Sequence, residues 1–124
     1  MSSLLAREVT IDEIDGVLVI GFAAENEEYL LLQRSLEPSE QDVALGHDAV
    51  YIERNSQLRS AYGGIVRVVL SSRAVVLELS EETAEAIGSE GVFRVDLDLE
   101  SQRLEVLRES LDRLHGGGPE RSSE

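Results

Sequence analysis

Alternation of apolar and polar residues along the chain predicts a series of β-strands. A weak strand is expected before Asp15, and fuller strands at residues 17–22, 29–36, 49–54, 65–70, 73–79 and 92–99. Within residues 29–36, Leu30 and Leu32 share one face, whereas Tyr29 and Leu31 lie on the other. Short polar connections such as residues 25–28 favour antiparallel hairpins between consecutive strands.

Two segments have the pattern of helices. Ser80 is a favourable N-cap for a short helix over residues 81–87, and Gly88 is a suitable stop signal. A longer helix is predicted over residues 101–115, where Leu104, Leu107, Leu111 and Leu114 form one apolar stripe. The combination predicts an α+β domain, in which a mostly antiparallel sheet has the C-terminal helix packed on one face and one short extra helix.

Two segments interrupt these elements, and a third follows the last of them. Residues 37–48 follow neither period and contain Pro38, so we expect an acidic connection with about one helical turn near residues 40–45. Gly63-Gly64 predicts a bulge or a close backbone approach at the start of a strand. The elements together indicate a single domain over residues 1–116, followed by a flexible polar tail over residues 117–124.

Composition narrows the class of protein. A chain of 124 residues, 42% of them apolar, is long enough to bury one core, and the absence of cysteine excludes disulfides and thiolate metal sites. Its first residues lack the apolar stretch of an export signal, and no run approaches the ~20 apolar residues of a membrane-spanning helix. We therefore expect a soluble cytoplasmic protein.

The charge is strongly negative and limits the class of partner. The formal net charge is -14, and every basic residue is an arginine. Phosphate groups would be repelled, which argues against nucleic acid or an anionic membrane as a partner and favours a basic protein. Acidity that serves only solubility is the alternative.

The sequence offers little for catalysis or metal binding. His47 and His115 are the only histidines, no cysteine nucleophile is present, and no nucleophile-elbow, zinc-site or calcium-loop motif occurs. We therefore predict a protein that is not an enzyme and that has no catalytic residue, no cofactor and no metal site.

A binding surface is the remaining candidate for function. Acidic groups lie on either side of one predicted strand and, if they converge, would form a negative patch with tyrosines as aromatic anchors. The candidate partner-binding residues are Glu25, Glu27, Glu28, Glu40, Asp42, Asp48, Tyr51, Glu53 and Tyr62, with Tyr29 as a further anchor. The alternative for each tyrosine is core packing with a solvated hydroxyl.

The order of several motifs carries a family resemblance. Residues 29–34 read Y-L-L-L-Q-R, residues 40–42 read E-Q-D, and residues 62–65 read Y-G-G-I. In that order, and with the leucine-striped helix that follows, residues 17–116 resemble the immunity protein 10 family of bacterial polymorphic toxin systems. The resemblance implies a small α+β protein, encoded beside a toxin, that binds and neutralises that toxin in the producing cell.

The resulting hypothesis is occlusion of a toxin. A rigid acidic domain would fill the active or substrate-binding site of a basic toxin domain, for example a nuclease. Two alternatives stay open. One is an adaptor or homodimer-forming domain without a toxin partner, so that self-association remains an option; the other is a small-ligand-binding module around Tyr51, Glu53 and Tyr62.

Overall fold

The computed structural model describes residues 2–37, 39–44, 49–115 and 120–121. Its strands are β1 Ser2–Ala6, β2 Glu8–Ile14, β3 Val17–Ala23, β4 Tyr29–Ser35, β5 Tyr51–Arg54, β6 Ser60–Tyr62, β7 Ile65–Leu70, β8 Ala74–Leu79, β9 Val92–Leu97 and β10 Glu120–Arg121. Its helices are α1 Glu40–Ala44, α2 Glu81–Ala86 and α3 Ser101–His115. Of the helices within these residues, none is both long enough and apolar enough to cross a membrane.

The strands form two sheets of five. Sheet A has the order β1-β9-β8-β7-β10, and sheet B has the order β2-β3-β4-β5-β6. Sheet B is antiparallel throughout and follows the chain order, as a meander of successive hairpins does. Sheet A is antiparallel at its centre, but β1 and β10 pair in parallel with β9 and β7.

The predicted α+β class is wrong, because the chain is mostly β. Strands take up far more of the described residues than helices, and they form two sheets instead of one sheet with a helix on one face. The main cause is that β7, β8 and β9 pair with one another in a second sheet and do not continue sheet B. Strand β1, which was not foreseen as a strand of its own, joins that second sheet by pairing Ser2 with Phe93. Alternation within a segment reveals a strand but not its distant partner.

Both sheets and the helices α2 and α3 contribute to one hydrophobic core. In β3 the side chains of Leu18, Ile20 and Phe22 are buried, while those between them are only half-buried. Sheet A contributes Phe93 and Val95 from β9 to the same cluster. Because strand side chains alternate between faces, each sheet presents one face to this core and leaves the other outside.

Helix α3 covers part of this core. Leu107, Leu111 and Leu114 are fully buried, which confirms three positions of the predicted leucine stripe, and Leu104 is half-buried. The C-terminal end of the helix is tied to sheet B, since Arg34 of β4 donates from Nη1 to the carbonyl oxygen of Leu114 at 2.8 Å. The helix therefore stabilises the fold through its apolar stripe and through a bond at its end.

The β2–β3 turn fixes the start of sheet B. Asp15 and Gly16 form a two-residue connection between Ile14 and Val17 and have φ values of 52° and 77°. Two successive positive φ values are those of a type I′ turn, for which Asp-Gly is a preferred pair. The turn sets the register of β2 against β3 and hence which side chains face the core.

The connection between the two sheets is a close backbone approach at Gly63 and Gly64. Gly64 has φ +80°, and a Cβ built there would lie 1.9 Å from Oγ1 of Thr83 and 2.6 Å from Oγ of Ser80. The carbonyl oxygen of Gly63 accepts a bond from Oγ1 of Thr83 at 3.0 Å, and that of Gly64 accepts one from the Ser80 N–H at 2.7 Å. The predicted close approach is therefore confirmed.

A register shift follows in β7, between Ile65 and Arg67. It leaves Val66 exposed (67%), whereas simple alternation had placed it on the same face as Val68 and Leu70, both of which are buried. A bulge adds one residue to one strand and so turns a side chain to the opposite face.

Gly64→Ala should destabilise the fold more than Gly16→Ala. Both positions have a positive φ, which costs a non-glycine residue about 1–2 kcal/mol. At Gly16 a Cβ would meet nothing within 4 Å, whereas at Gly64 it would overlap Thr83 and add about 1–3 kcal/mol. Urea unfolding of both variants measures the difference, and equal free energies of unfolding would refute the close approach.

Leu111→Ala should lower the free energy of unfolding by about 2–5 kcal/mol, because it opens a cavity beneath α3. The matched control is Val106→Ala on the same helix, where the side chain is 40% exposed and the expected loss is below about 1 kcal/mol. Thermal or urea unfolding measures both. Similar losses at the two positions would mean that α3 does not pack through its leucine stripe.

Candidate functional site

The outer face of sheet B carries four of the tyrosine and glutamate side chains singled out from the sequence. Register places Glu53 of β5 opposite Leu31 of β4, and Tyr51 opposite Tyr62 of β6. Tyr29 lies on the same face of β4, two residues before Leu31. We call Tyr29, Tyr51, Glu53 and Tyr62 the tyrosine–glutamate cluster.

Glu53 is at the centre of this cluster. Its side chain is only 7% exposed, although it lies on the face of the sheet that points away from the main core. Its Oε2 accepts a hydrogen bond from the Tyr29 hydroxyl at 2.5 Å, and its Oε1 accepts one from the Tyr51 hydroxyl at 2.6 Å. These lengths are typical of hydroxyl donors to an ionised carboxylate.

Tyr62 forms the open side of the cluster. Its side chain is 47% exposed, and its ring centroid lies 5.1 Å from that of Tyr51 with the ring planes tilted by 53°. Tilted aromatic pairs at this separation are favourable beyond the area they bury. The cluster therefore has a buried carboxylate, two phenols bonded to it and a third aromatic ring at the surface.

Asn55 fixes the position of Tyr29. The Tyr29 N–H donates to Oδ1 of Asn55 at 2.8 Å, and the Asn55 N–H donates to the Tyr29 carbonyl oxygen at 3.2 Å. Asn55 has φ 61°, a left-handed conformation that asparagine tolerates better than most residues. This two-bond clamp joins the start of β4 to the end of β5, so the phenol reaches the carboxylate from a fixed backbone.

The carboxylate also changes the acidity of the phenols. Its hydrogen bond with the Tyr29 hydroxyl, with burial and the nearby negative charge, raises the pKa of Tyr29 to about 12. Burial, followed by the bond to Glu53, raises the pKa of Tyr51 above its usual range. Both phenols therefore remain protonated donors to Glu53 at neutral pH.

The two acidic groups expected on either side of one strand lie at opposite ends of β4. Glu25, Glu27 and Glu28 occupy the β3–β4 turn, and Glu40 and Asp42 lie on α1 beyond the other end. Along the chain they are separated by a seven-residue strand, ~20 Å long at ~3.3 Å per residue, and their convergence into one patch stays a prediction. Glu25 is paired with Arg7 at 3.3 Å, and Asp48 lies outside the described residues.

A groove of about 370 Å³ adjoins the cluster at Tyr51 and Tyr62. It is open to solvent, and most of its other walls are polar, with Gln33, Ser35 and Glu37 among them. Within the described part of the chain, no group of three or more histidine, aspartate or glutamate side chains is placed to hold a metal ion. His47 lies outside that part.

Tyr29→Phe should remove a tyrosine that ionises near pH 12, as measured by tyrosinate absorbance with circular dichroism to monitor folding. Because the folded-state pKa lies above the ordinary value of 10, the neutral phenol stabilises the fold. That contribution is complete below pH 10 and is lost as the pH rises through about 12. Tyr62→Phe, the control, should keep the late-ionising component. Because the pKa of Tyr51 is also raised, the refuting outcome is a late-ionising component in Tyr29→Phe that keeps the amplitude it has in the native protein.

Comparison with known proteins places this chain in a family. The family model described as Immunity protein 10 matches residues 5–105. No curated protein matches the chain. The matched residues include β2 to β9 and the whole tyrosine–glutamate cluster, and they make up well over half of the sequence. The protein therefore belongs to the immunity protein 10 family.

Proposed function

We propose that this polymorphic toxin immunity protein neutralises a cognate toxin by binding it, without catalysis, and occluding its active or substrate-binding site. The family supports a toxin as the partner. The proposed mode of action rests on one observation, the tyrosine–glutamate cluster on the outer face of sheet B. Hydrogen bonds hold this cluster in place, and its Tyr62 ring is half-exposed. A prearranged aromatic surface loses little conformational entropy on binding.

The charge of the chain supports a basic partner. The formal net charge is -14, and the β3–β4 turn places Glu27 and Glu28 in solvent directly before Tyr29. Exposed like charges around an aromatic centre steer an oppositely charged protein towards it and raise the association rate. A toxin that acts on nucleic acid has a basic substrate site, which such a surface would block.

The small-ligand alternative has one observation in its favour, the groove beside Tyr51 and Tyr62. Its openness and its polar walls fit a small-molecule site poorly, since such sites are usually enclosed and mainly apolar. A shallow aromatic surface beside a wet groove is more typical of a protein interface.

Co-expression with the toxin encoded by the neighbouring gene tests the proposal. We expect growth to be restored and the two proteins to co-purify as a stable complex. Toxicity that persists in the presence of this protein, with no complex, would refute neutralisation by binding. Size-exclusion chromatography of the protein alone would then test the adaptor alternative, which requires a defined homo-oligomer.

Charge reversal near the cluster should weaken the complex. Replacing both Glu27 and Glu28 by lysine should raise the Kd about tenfold or more and reduce its dependence on salt. The matched control replaces Glu85 and Glu109, which are exposed on α2 and α3, and produces the same net charge. Titration calorimetry at two salt concentrations compares them. Equal weakening would mean that overall charge, and not this end of sheet B, attracts the toxin.

A further inference from the structure

Glu53 differs from the other acidic side chains that the structure describes. It is the one acid among them that is buried, and it is buried on the outer face of sheet B. A buried carboxylate is costly to desolvate unless charge or hydrogen bonds compensate it. Such a residue in a half-exposed aromatic surface needs an explanation beyond the stability of the core.

The compensation that Glu53 receives is incomplete. Arginines form ion pairs with acids elsewhere in the described structure, for example Arg67 with Glu78 at 3.1 Å, but none of these pairs includes Glu53. Its partners in the described residues are the two phenols, which donate hydrogen bonds but carry no positive charge. Within the described residues, the phenols therefore offset part of the desolvation cost of the carboxylate without neutralising its negative charge.

The carboxylate retains capacity for a further donor. An ionised carboxylate has about four lone-pair sites, and the phenols of Tyr29 and Tyr51 use one on each oxygen. One site on each oxygen remains, which matches the two parallel N–H bonds of a guanidinium group. The aromatic rings beside the carboxylate add a second attraction, since a cation over a ring face is stabilised by the ring quadrupole.

We infer that the tyrosine–glutamate cluster is a recognition site for one arginine side chain of the partner, with Glu53 as the charge acceptor and the tyrosine rings as its walls. The inference rests on the proposed function, because the toxin supplies the arginine. The guanidinium group of that arginine would neutralise Glu53 while the phenol bonds persist. Tyr62, the most exposed ring, would cover the guanidinium plane from the solvent side.

A small probe tests the recognition site without the toxin. N-acetyl-arginine methylamide is titrated into protein labelled with carbon-13 at the glutamate carboxyl and tyrosine ring carbons. We expect saturable shifts of Glu53 and the cluster tyrosines. The citrulline analogue, a neutral group of the same shape, should cause no such shifts. Equal shifts with both probes, or none with the arginine probe, would overturn the inference.

Two variants make the titration specific. Glu53→Gln keeps the side-chain shape and an acceptor for the phenols but removes the charge, and should weaken binding of the arginine probe about tenfold or more. Tyr62→Ala removes the exposed ring without opening the core, and should weaken it several-fold. Circular dichroism confirms folding. Native-like probe binding in a folded Glu53→Gln variant would overturn the inference.

The complex with the neighbouring gene's toxin separates this inference from the proposed function. Glu53→Gln should raise the Kd for the toxin about tenfold or more, whereas Glu85→Gln, which removes one exposed acid, should change it less than about twofold. If the toxin binds the native protein and both variants equally, the arginine site is refuted and neutralisation by binding stands. If the toxin binds neither the native protein nor the variants, the proposed function is refuted. The arginine titration then still tests whether the cluster binds an arginine side chain.

Discussion

The two-residue period of β3, β4 and β5 is the constraint on which both the core and the candidate site depend. In β4, Leu30 and Leu32 enter the core, while Tyr29 belongs to the cluster on the opposite face. In β5, Ile52 enters the core and Glu53 faces outward beside it. A slip of one residue in either strand would exchange the faces, so the packing that stabilises the fold also holds the site in register.

Much of the secondary structure was predictable, because it depends on local patterns. The strand at residues 92–99 and the helix over 101–115 correspond to β9 and α3, and Ser80 caps α2 by accepting a bond from the Thr83 N–H. The fold class was not predictable in the same way. It depends on which strands pair: β7, β8 and β9 form a second sheet instead of continuing sheet B, and β1 joins β9 from about ninety residues away. Such pairings between distant segments leave no periodic signal.

The candidate site was predictable only in its residue types. Tyrosines and acids were recognised as candidate anchors, but alternation alone makes Glu53 an exposed outward residue and cannot indicate that it is buried. Tyr29 and Tyr51 pack against it, and their positions depend on the register of β4 against β5. Asn55 gave a signal that was overlooked, since asparagine directly after a strand favours the left-handed conformation that lets it clamp Tyr29.

The choice of phenols as partners for Glu53 is what favours the proposed binding role over a purely structural one. The chain has eleven basic residues, all arginine, and an internal arginine beside Glu53 would have compensated the buried charge more completely. An ion pair between Glu53 and such an arginine would also have neutralised the charge with which Glu53 could attract an external cation. Phenols offset part of the desolvation cost and leave the charge in place. The negative field of the whole chain acts over about a Debye length and weakens with salt. The carboxylate of Glu53, which is 7% exposed, would act at contact, where salt screens it much less. In the proposed complex, attraction at a distance and recognition at contact would thus belong to different groups of the same surface.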